Sequence, residues 1–209
     1  MRLVLRTRGF TLVELMVAIA IMALLLMAVS PGVNNWMVNV RIRNAASAIE
    51  QGLQQARQEA IRRNQSVRFS LVTSAPGDPT RLDNSCALSN TSGSWVVSVR
   101  DPAGKCAIAP SATTDPMLVA SHAIGDGGQG VSVQARQSDG TTAANSISFN
   151  GLGSVTGAAS IGRVDVSATV NPGDHRSMCV EVSGVGAARL CDPALLPTDP
   201  RACRGACAI

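Results

Sequence analysis

Few residues in this sequence have the type and spacing for chemistry, and the first is an acid inside an apolar segment. Glu14 is the single charged residue between Phe10 and Val29. A charged side chain in hydrocarbon costs about 2.5–3.5 kcal/mol on insertion scales, so such a residue is usually paired or functional. The plainer alternative is that Glu14, near the start of the run, reaches the membrane interface.

Cysteines are the second reactive group, and all of them follow the apolar segment. Their even number predicts disulfides in an exported domain, although six cysteines allow fifteen connectivities. A zinc site is not expected, because C-x2-C spacing is absent and the sequence holds two histidines. Closure of the shortest loops favours three pairs: Cys86–Cys106, Cys179–Cys191 and Cys203–Cys207.

No set of side chains indicates an enzyme. Asp174 and His175 precede Cys179 and suggest a thiol with a base, but a loop histidine beside a disulfide cysteine is the simpler interpretation. His122 falls in an apolar strand, where a half-buried histidine is expected. The glycine-rich run 125–130 is not followed by the helix of a dinucleotide-binding fold. We therefore expect no catalytic residue, no cofactor and no metal.

The charge balance gives little support to a nucleic-acid partner. Of the 18 basic residues, three lie in the first nine positions, so the remaining chain has 15 against 14 acidic residues. Three phenylalanines, two tryptophans and no tyrosine are few for stacking on bases. General attraction to acidic partners is therefore a weak argument here.

The segment that carries Glu14 is predicted to be a membrane-spanning helix. Twenty residues at 1.5 Å each span roughly 30 Å, the thickness of a bilayer core. Arg2, Arg6 and Arg8 precede it without an acid, so this flank is expected in the cytoplasm and the rest of the chain outside. No A-x-A site follows the run, as it would in an ordinary secretory signal peptide.

The helical pattern continues beyond a proline. Pro31 removes a hydrogen bond and crowds the preceding turn, so a kink or local melting is expected there. From Trp36 to the predicted helix end near residues 63–64, apolar residues recur at three- and four-residue steps. They predict a narrow face that packs on a sheet: Ile42, Ala45, Ala46, Ile49, Leu53, Ala56 and Ala60.

From Ser66 the apolar period changes to two, which predicts strands. One long helix followed by short strands predicts an α+β fold, with the helix packed on an antiparallel sheet and a second sheet beside it. The last residues have no period and are expected to be irregular. The strands are predicted at 67–72, 94–100, 117–124, 131–136, 146–150, 161–170, 176–183 and 187–191.

The sequence from Arg8 to Leu15, RGFTLVEL, resembles the class III signal of type IV pilins and type II secretion pseudopilins. The resemblance implies cleavage between Gly9 and Phe10 by a prepilin peptidase, followed by N-methylation of Phe10. It also implies that Glu14 pairs with the amino group of a neighbouring subunit. Pro31 is a further match, because pilins often carry a proline near this point.

Two later segments resemble the GspH/FimT class of minor pilins and pseudopilins: 146–153, SISFNGLG, and the hairpin 179–191. The resemblance implies a pilin-like α+β fold, with the long helix packed on antiparallel sheets. The domains expected are a leader at 1–9, a transmembrane half-helix at 10–30, an amphipathic half-helix at 31–64, a β-rich head at 65–191 and an irregular tail at 192–209.

The function implied by the resemblance is structural: a minor pilin that takes part in priming or capping a type IV pilus. A type II secretion pseudopilin is the second interpretation. The partners would be other pilins or pseudopilins, the prepilin peptidase and the inner-membrane assembly platform. The chain would cross the bacterial inner membrane once, with a periplasmic head, before it enters a pilus or pseudopilus.

DNA uptake is the third interpretation. The FimT branch holds DNA with a Gly-Arg-x-Arg motif in the C-terminal hairpin, but the matching segment here, Gly186 to Arg189, has one arginine. Arg201 and Arg204 add charge that Asp192 and Asp199 offset. Because phosphate contacts need clustered positive charge, DNA binding by Arg189 is not favoured.

Overall fold

The structure, a computed structural model, describes residues 10–205 and 207, without the side chains of 27–33. Gly9 and the leader arginines lie outside the described residues. The chain divides into two units, Met1–Met37 and Val38–Ile209, which are described separately. The long helix α1, Leu12–Arg63, contributes to both.

Helix α1 starts at a side-chain cap. The Oγ1 atom of Thr11 accepts a hydrogen bond of 3.2 Å from the backbone N–H of Glu14, as an N-cap threonine does. The helix then continues through Pro31 without interruption, so the local melting that the sequence allows does not occur. Proline removes one backbone donor, but its fixed φ is compatible with a helix. The kink stays a prediction.

In the first unit, α1 exposes apolar side chains on every side. Leu12 is 74% exposed, Leu24 68% and Leu26 67%. Across the part of the chain that the structure describes, no helix meets the length and hydropathy of a membrane span. The predicted transmembrane half, 10–30, includes residues 27–30, whose side chains lie outside that description, and it stays a prediction.

In the second unit, α1 packs its predicted face against the core, and all seven predicted positions from Ile42 to Ala60 are buried. The approach is close at Gly52. A Cβ atom there would lie 2.7 Å from the ring of Phe69 and 2.8 Å from that of Trp95. Such distances are shorter than van der Waals contact, so a glycine is needed at this point of the helix.

Two antiparallel sheets follow the helix, as expected for the α+β fold. The five-stranded sheet has the order β3-β2-β1-β5-β6 and the four-stranded sheet the order β4-β7-β8-β9. The first is built from β1 Val67–Leu71, β2 Trp95–Ser98, β3 Leu118–His122, β5 Ser146–Phe149 and β6 Val155–Thr156. The second is built from β4 Val131–Arg136, β7 Arg163–Ala168, β8 Met178–Val182 and β9 Ala188–Cys191.

One apolar core joins the head half of α1 to both sheets. Phe69 and Phe149 reach it from the first sheet, and Val164, Val166 and Val180 from the second. The alternation predicted for β7 is therefore correct for its core face. On the other face of β7, Arg163 and Asp165 are also buried, at 8% exposure each. The contacts of these two side chains are described with the candidate functional site.

The disulfides correct two of the three predicted pairs. Cys86–Cys106 forms as predicted. The other bonds are Cys179–Cys207 and Cys191–Cys203 in place of Cys179–Cys191 and Cys203–Cys207. Loop length alone favours the shortest closures, but the tail turns back onto the sheet. The Asp192 N–H donates to the Arg201 carbonyl at 2.9 Å, which brings the tail cysteines over β8 and β9.

Candidate functional site

The N-terminal processing and assembly residues lie together at the start of α1. Phe10 is exposed and directly precedes the cap residue Thr11, whose carbonyl also accepts the Leu15 N–H at 3.2 Å. Glu14 lies in the first turn, where a negative charge is favourable beside the helix dipole. Cleavage before Phe10, its methylation and the pairing of Glu14 with a neighbour stay predictions.

Thr11 is a functional residue that the sequence interpretation missed. Its signal was present as Thr-x-x-Glu at 11–14, the pattern of a capping box just before an apolar run. The cap fixes where the helix begins. A peptide bond cleaved before Phe10 would therefore leave the new amino group one residue ahead of the cap.

The outer face of the four-stranded sheet carries a set of ionic and sulfur groups. In the strand register, Arg163 faces Glu181, which faces Arg189. In the next row, Asp165 faces Cys179, which faces Cys191. A strand places alternate residues on one face, so these side chains share the face opposite the core.

Glu181 accepts hydrogen bonds from the C-terminal tail on this face. Its Oε1 atom accepts the backbone N–H of Arg204 at 2.9 Å and that of Gly205 at 2.8 Å. Its Oε2 atom accepts Nε and Nη2 of Arg189 at 3.0 and 2.7 Å. Arg189 Nη2 also donates to the Ala202 carbonyl at 3.1 Å. Sequence reasoning missed Glu181, because its importance depends on a tail without any pattern.

Arg189, the residue considered for DNA binding, is thus part of a network of hydrogen bonds within the chain. Its guanidinium is bound to Glu181 and to the tail carbonyl, and its side chain is 31% exposed. A cleft of about 320 Å³ lies beside it between sheet and tail, lined also by Arg163, Glu181 and Arg204. The cleft thus brings three arginines and one glutamate together, and the Arg189 guanidinium is already bound to Glu181 and to the tail.

Asp165 forms the buried part of the same face. Its carboxylate lies 3.3 Å from Arg163 Nε and 3.9 Å from Arg136 Nε. The same carboxylate is 3.1 Å from the Sγ atom of Cys179. Both arginines also donate to the Gly140 carbonyl at 3.1 Å. Asp165 is therefore the carboxylate partner of two arginines within the head.

Four sulfur atoms meet at the tail, those of Cys179, Cys191, Cys203 and Cys207, and all lie within 4.8 Å of one another. We call this group the sulfur cluster. Its compactness is that of a four-thiolate metal site. Because the sulfurs are joined in two disulfides, they do not offer thiolates in this state.

Both segments that resemble the GspH/FimT class meet at the head half of α1. Arg57 Nε donates to the Gly153 carbonyl at 3.0 Å, and the Val155 N–H donates to the Gly184 carbonyl at 3.2 Å. A Cβ atom on Gly186 would lie 2.0 Å from the Gly153 oxygen. Gly186 also has a φ of 80°, which explains glycine at this position of the hairpin.

The basic end of α1 is partly neutralised. Glu59 is buried and accepts hydrogen bonds from Arg62, at 2.7 and 2.5 Å, and from Arg63. Hydrogen bonding by Arg62 is the main cause that lowers the pKa of Glu59. His122 is half-buried, as predicted. It stacks on Trp95 with ring centroids 5.6 Å apart, and burial lowers its pKa.

Two family profiles match the sequence. The profile of type II transport protein GspH matches residues 45–186, and that of the prokaryotic N-terminal methylation motif matches residues 5–30. Two crystal structures of the type IV minor pilin FimU from Pseudomonas aeruginosa are similar at 14% identity. Each alignment covers 75% of this chain. The alignments cover 97% and 92% of the two FimU chains, with TM-scores of 0.43 and 0.45, respectively. No curated protein matches the sequence.

Proposed function

The chain belongs to the GspH family of pilins and pseudopilins, as the match over 45–186 shows, and from this premise we propose that it is a minor pilin that takes part in priming or capping a type IV pilus. The family is one of structural subunits, so the proposal assigns no enzymatic role. The observation that supports it best is the pairing of an exposed apolar half-helix with a methylation motif at its start.

The exposed apolar side chains of the half-helix need an apolar environment that shields them from water. A helix that is apolar on all sides belongs in a membrane or in the interior of an assembly. The proposal supplies both in turn: the bilayer before assembly and the helices of neighbouring subunits afterwards. In this scheme the leader arginines hold the N-terminus in the cytoplasm, and the head lies in the periplasm.

Glu14 is proposed as the assembly contact. After cleavage between Gly9 and Phe10, the new amino group is positive, and in an apolar filament core it needs a partner. The Glu14 carboxylate of a neighbouring subunit supplies it, and removing either charge leaves the other unpaired at a cost of several kcal/mol. The partners are thus other pilins, the prepilin peptidase and the inner-membrane assembly platform.

Mass spectrometry of the mature N-terminus tests the processing step. We expect the chain to begin with N-methylated Phe10 when a prepilin peptidase is present, and to keep its leader when the peptidase gene is deleted. An intact Met1 in the peptidase-positive strain, or a cut after Ser30, would contradict the proposal.

Glu14→Gln tests the assembly contact separately. We expect the variant to be processed normally but to be lost from sheared filaments, because the amide cannot neutralise the amino group. Glu50→Gln is the matched control, since Glu50 lies on the head half of the same helix and accepts only from Gln54 at 3.2 Å among its side-chain contacts in the described residues. Equal recovery of the Glu14 and Glu50 variants would refute the role of Glu14.

A pseudopilin of type II secretion is the second candidate, and the description of the matching family favours it. Both systems use the same N-terminal chemistry, so geometry does not separate them. Deleting the gene and measuring twitching, protein secretion and transformation separately distinguishes the two systems. Loss of twitching with normal secretion supports the pilus, and the opposite result supports secretion.

Selective loss of transformation would support the third candidate, DNA uptake. The engagement of Arg189 with Glu181 weighs against it. In a gel shift, Arg204→Ala is a more informative variant than Arg189→Ala. Arg204 contacts Glu181 through its backbone N–H, so its side chain can be removed while the tail contact is kept.

A further inference from the structure

The two disulfides at the tail are side by side, each within reach of the other. All four sulfurs of the sulfur cluster lie within 4.8 Å. Cys179 and Cys191 are directly opposite each other on β8 and β9, yet each is bonded to a tail cysteine. Both bonds therefore run from sheet to tail, and a sulfur on one strand has the other strand's sulfur as a near neighbour.

We propose that the sulfur cluster is a thiol–disulfide exchange site, with a small or protein thiol as its co-reactant. Exchange converts the pairing Cys179–Cys207 with Cys191–Cys203 into Cys179–Cys191 with Cys203–Cys207. The first pairing ties the tail to the sheet. The second joins the two strands and closes a ring within the tail, so it releases the tail from the sheet. The inference is independent of the filament to which the chain belongs.

Exposure decides where the external thiol attacks. Cys179 and Cys191 are buried beneath the tail, whereas Cys203 and Cys207 are half-buried. Thiol–disulfide exchange needs access of a thiolate to one sulfur of the bond. The tail sulfurs are thus the points of entry. Cys86–Cys106 is different, because both of its cysteines are buried in a separate apolar cluster.

The exchange is balanced in electrons and protons. A thiolate attacks Cys203 Sγ, the bond to Cys191 breaks, and Cys191 leaves as a thiolate. Cys191 then attacks Cys179 Sγ, the bond to Cys207 breaks, and Cys207 leaves as a thiolate. Cys207 finally attacks the mixed disulfide at Cys203 and expels the external thiolate, which is regenerated. No net oxidation or reduction occurs.

Release of the tail changes the outer face of the head. After exchange, the polar contacts of the tail that remain include the hydrogen bonds of Glu181 with the N–H groups of Arg204 and Gly205, that of Arg189 with the Ala202 carbonyl, and the ion pair of Asp192 with Arg176 at 3.3 Å. The cleft beside Arg189 has Arg204 and Gly205 in its lining. A released tail opens this wall and exposes the row of charges on the sheet.

Peptide mapping distinguishes the pairings, because the arginines separate all four cysteines. Trypsin cuts after Arg176, Arg189, Arg201 and Arg204, and it leaves each cysteine on its own peptide: 177–189, 190–201, 202–204 and 205–209. The full chain in detergent is equilibrated in a glutathione redox buffer without denaturant, alkylated in acid and then digested for mass spectrometry.

We expect the linked peptide 177–189 with 190–201 to appear, with an equal loss of 177–189 linked to 205–209. The link between Cys86 and Cys106 serves as the internal control and should be unchanged. Absence of the Cys179–Cys191 link after equilibration, or its appearance only in denaturant, would overturn the proposal.

A variant gives a second test that does not depend on the buffer. In Cys203→Ser/Cys207→Ser no disulfide can join the tail to the sheet. We expect Cys179 and Cys191 to form a disulfide with each other, and we expect trypsin to cut the folded protein faster after Arg201. The matched control, Cys86→Ser/Cys106→Ser, should keep the tail pairing of the wild type. Two free thiols at Cys179 and Cys191 under oxidising conditions would refute the cross-strand pairing.

Discussion

The two halves of α1 have the same backbone conformation and opposite surroundings. In the first half, Leu12, Leu24 and Leu25 are between 63% and 74% exposed. In the second half, Ile42, Ile49 and Leu53 are fully buried. The apolar residues of the second half recur on one face and contact the sheets, whereas those of the first half point in all directions. Periodicity therefore identifies the half whose partner lies within the chain.

The comparison also separates two kinds of sequence constraint. The head half must fit its own sheets closely, as Gly52 shows. The exposed half has no such fixed neighbour among the described residues, and under the proposed function its neighbours would be lipid or other subunits. A substitution should therefore affect folding in one half and assembly in the other.

Leu53→Ala should have the largest effect on the free energy of unfolding. Truncation of a fully buried leucine costs about 2–5 kcal/mol, since transfer energy is lost and a cavity remains. Leu25→Ala, in the exposed half, should leave the unfolding of the head unchanged. Denaturant titration of the full chain in detergent, followed by the fluorescence of Trp95 in a Trp36→Phe background, measures both. Equal destabilisation by the two variants would break the distinction between the halves.

Gly52→Ala should destabilise the head by about 1–3 kcal/mol, the usual cost of overpacking a core. The added methyl group would collide with the Phe69 and Trp95 rings, although alanine otherwise favours a helix. Gly184→Ala is the control, because among the described residues no atom beyond its chain neighbours lies within 4 Å of a Cβ at that position. An unchanged Tm for Gly52→Ala would show that the helix packs more loosely on the sheet.

Much of this fold follows from sequence period alone. The buried face of α1 and the strands near 67–72, 94–100 and 146–150 are predicted because apolar residues recur at the spacing of a helix or a strand, although β1 and β2 bury nearly all their side chains rather than one side. The tail pairing was not predictable, since residues 192–209 have no period. Their path depends on a hydrogen bond from Asp192 to Arg201 and on the acceptor Glu181, neither of which the sequence distinguishes from surface residues.

The residues of the candidate site also differ in whether the sequence alone identifies them. The N-terminal motif predicts roles for Gly9, Phe10 and Glu14 as a group, because the residues of the proposed cleavage and assembly steps lie close together in the sequence. Arg189 was identified by its place in a hairpin, but its partner Glu181 lies on the facing strand. Such a partner is known only when the strand register is known.

Thr11→Val sharpens the comparison at the start of the exposed half. Loss of an N-cap threonine costs about 1 kcal/mol, so the amide of Glu14 should exchange with deuterium roughly fivefold faster. Thr113→Val is the control, because no hydrogen bond from its side chain is found in the described residues. Unchanged exchange at Glu14 would mean that the Thr11 hydroxyl does not fix the beginning of the helix.

The smallest effect should come from Glu59, a buried acid in the head half of α1. Its carboxylate is bound by Arg62 and Arg63 within the same helix, so it needs no second subunit. Glu59→Gln should cost up to about 1 kcal/mol at neutral pH, the usual range for such pairs.

The pH dependence of this effect has a defined sign. Since the hydrogen bond from Arg62 lowers the pKa of Glu59 in the folded head, the carboxylate stabilises the fold above its unfolded pKa. That contribution is lost as the pH falls through the lower, folded value. The difference in unfolding free energy between the wild type and Glu59→Gln should therefore shrink in acid. A difference that stays constant from neutral pH to below the folded pKa would mean that Glu59 acts through packing. A difference that shrinks in acid shows that Arg62 and Arg63 of the same helix stabilise the charged carboxylate.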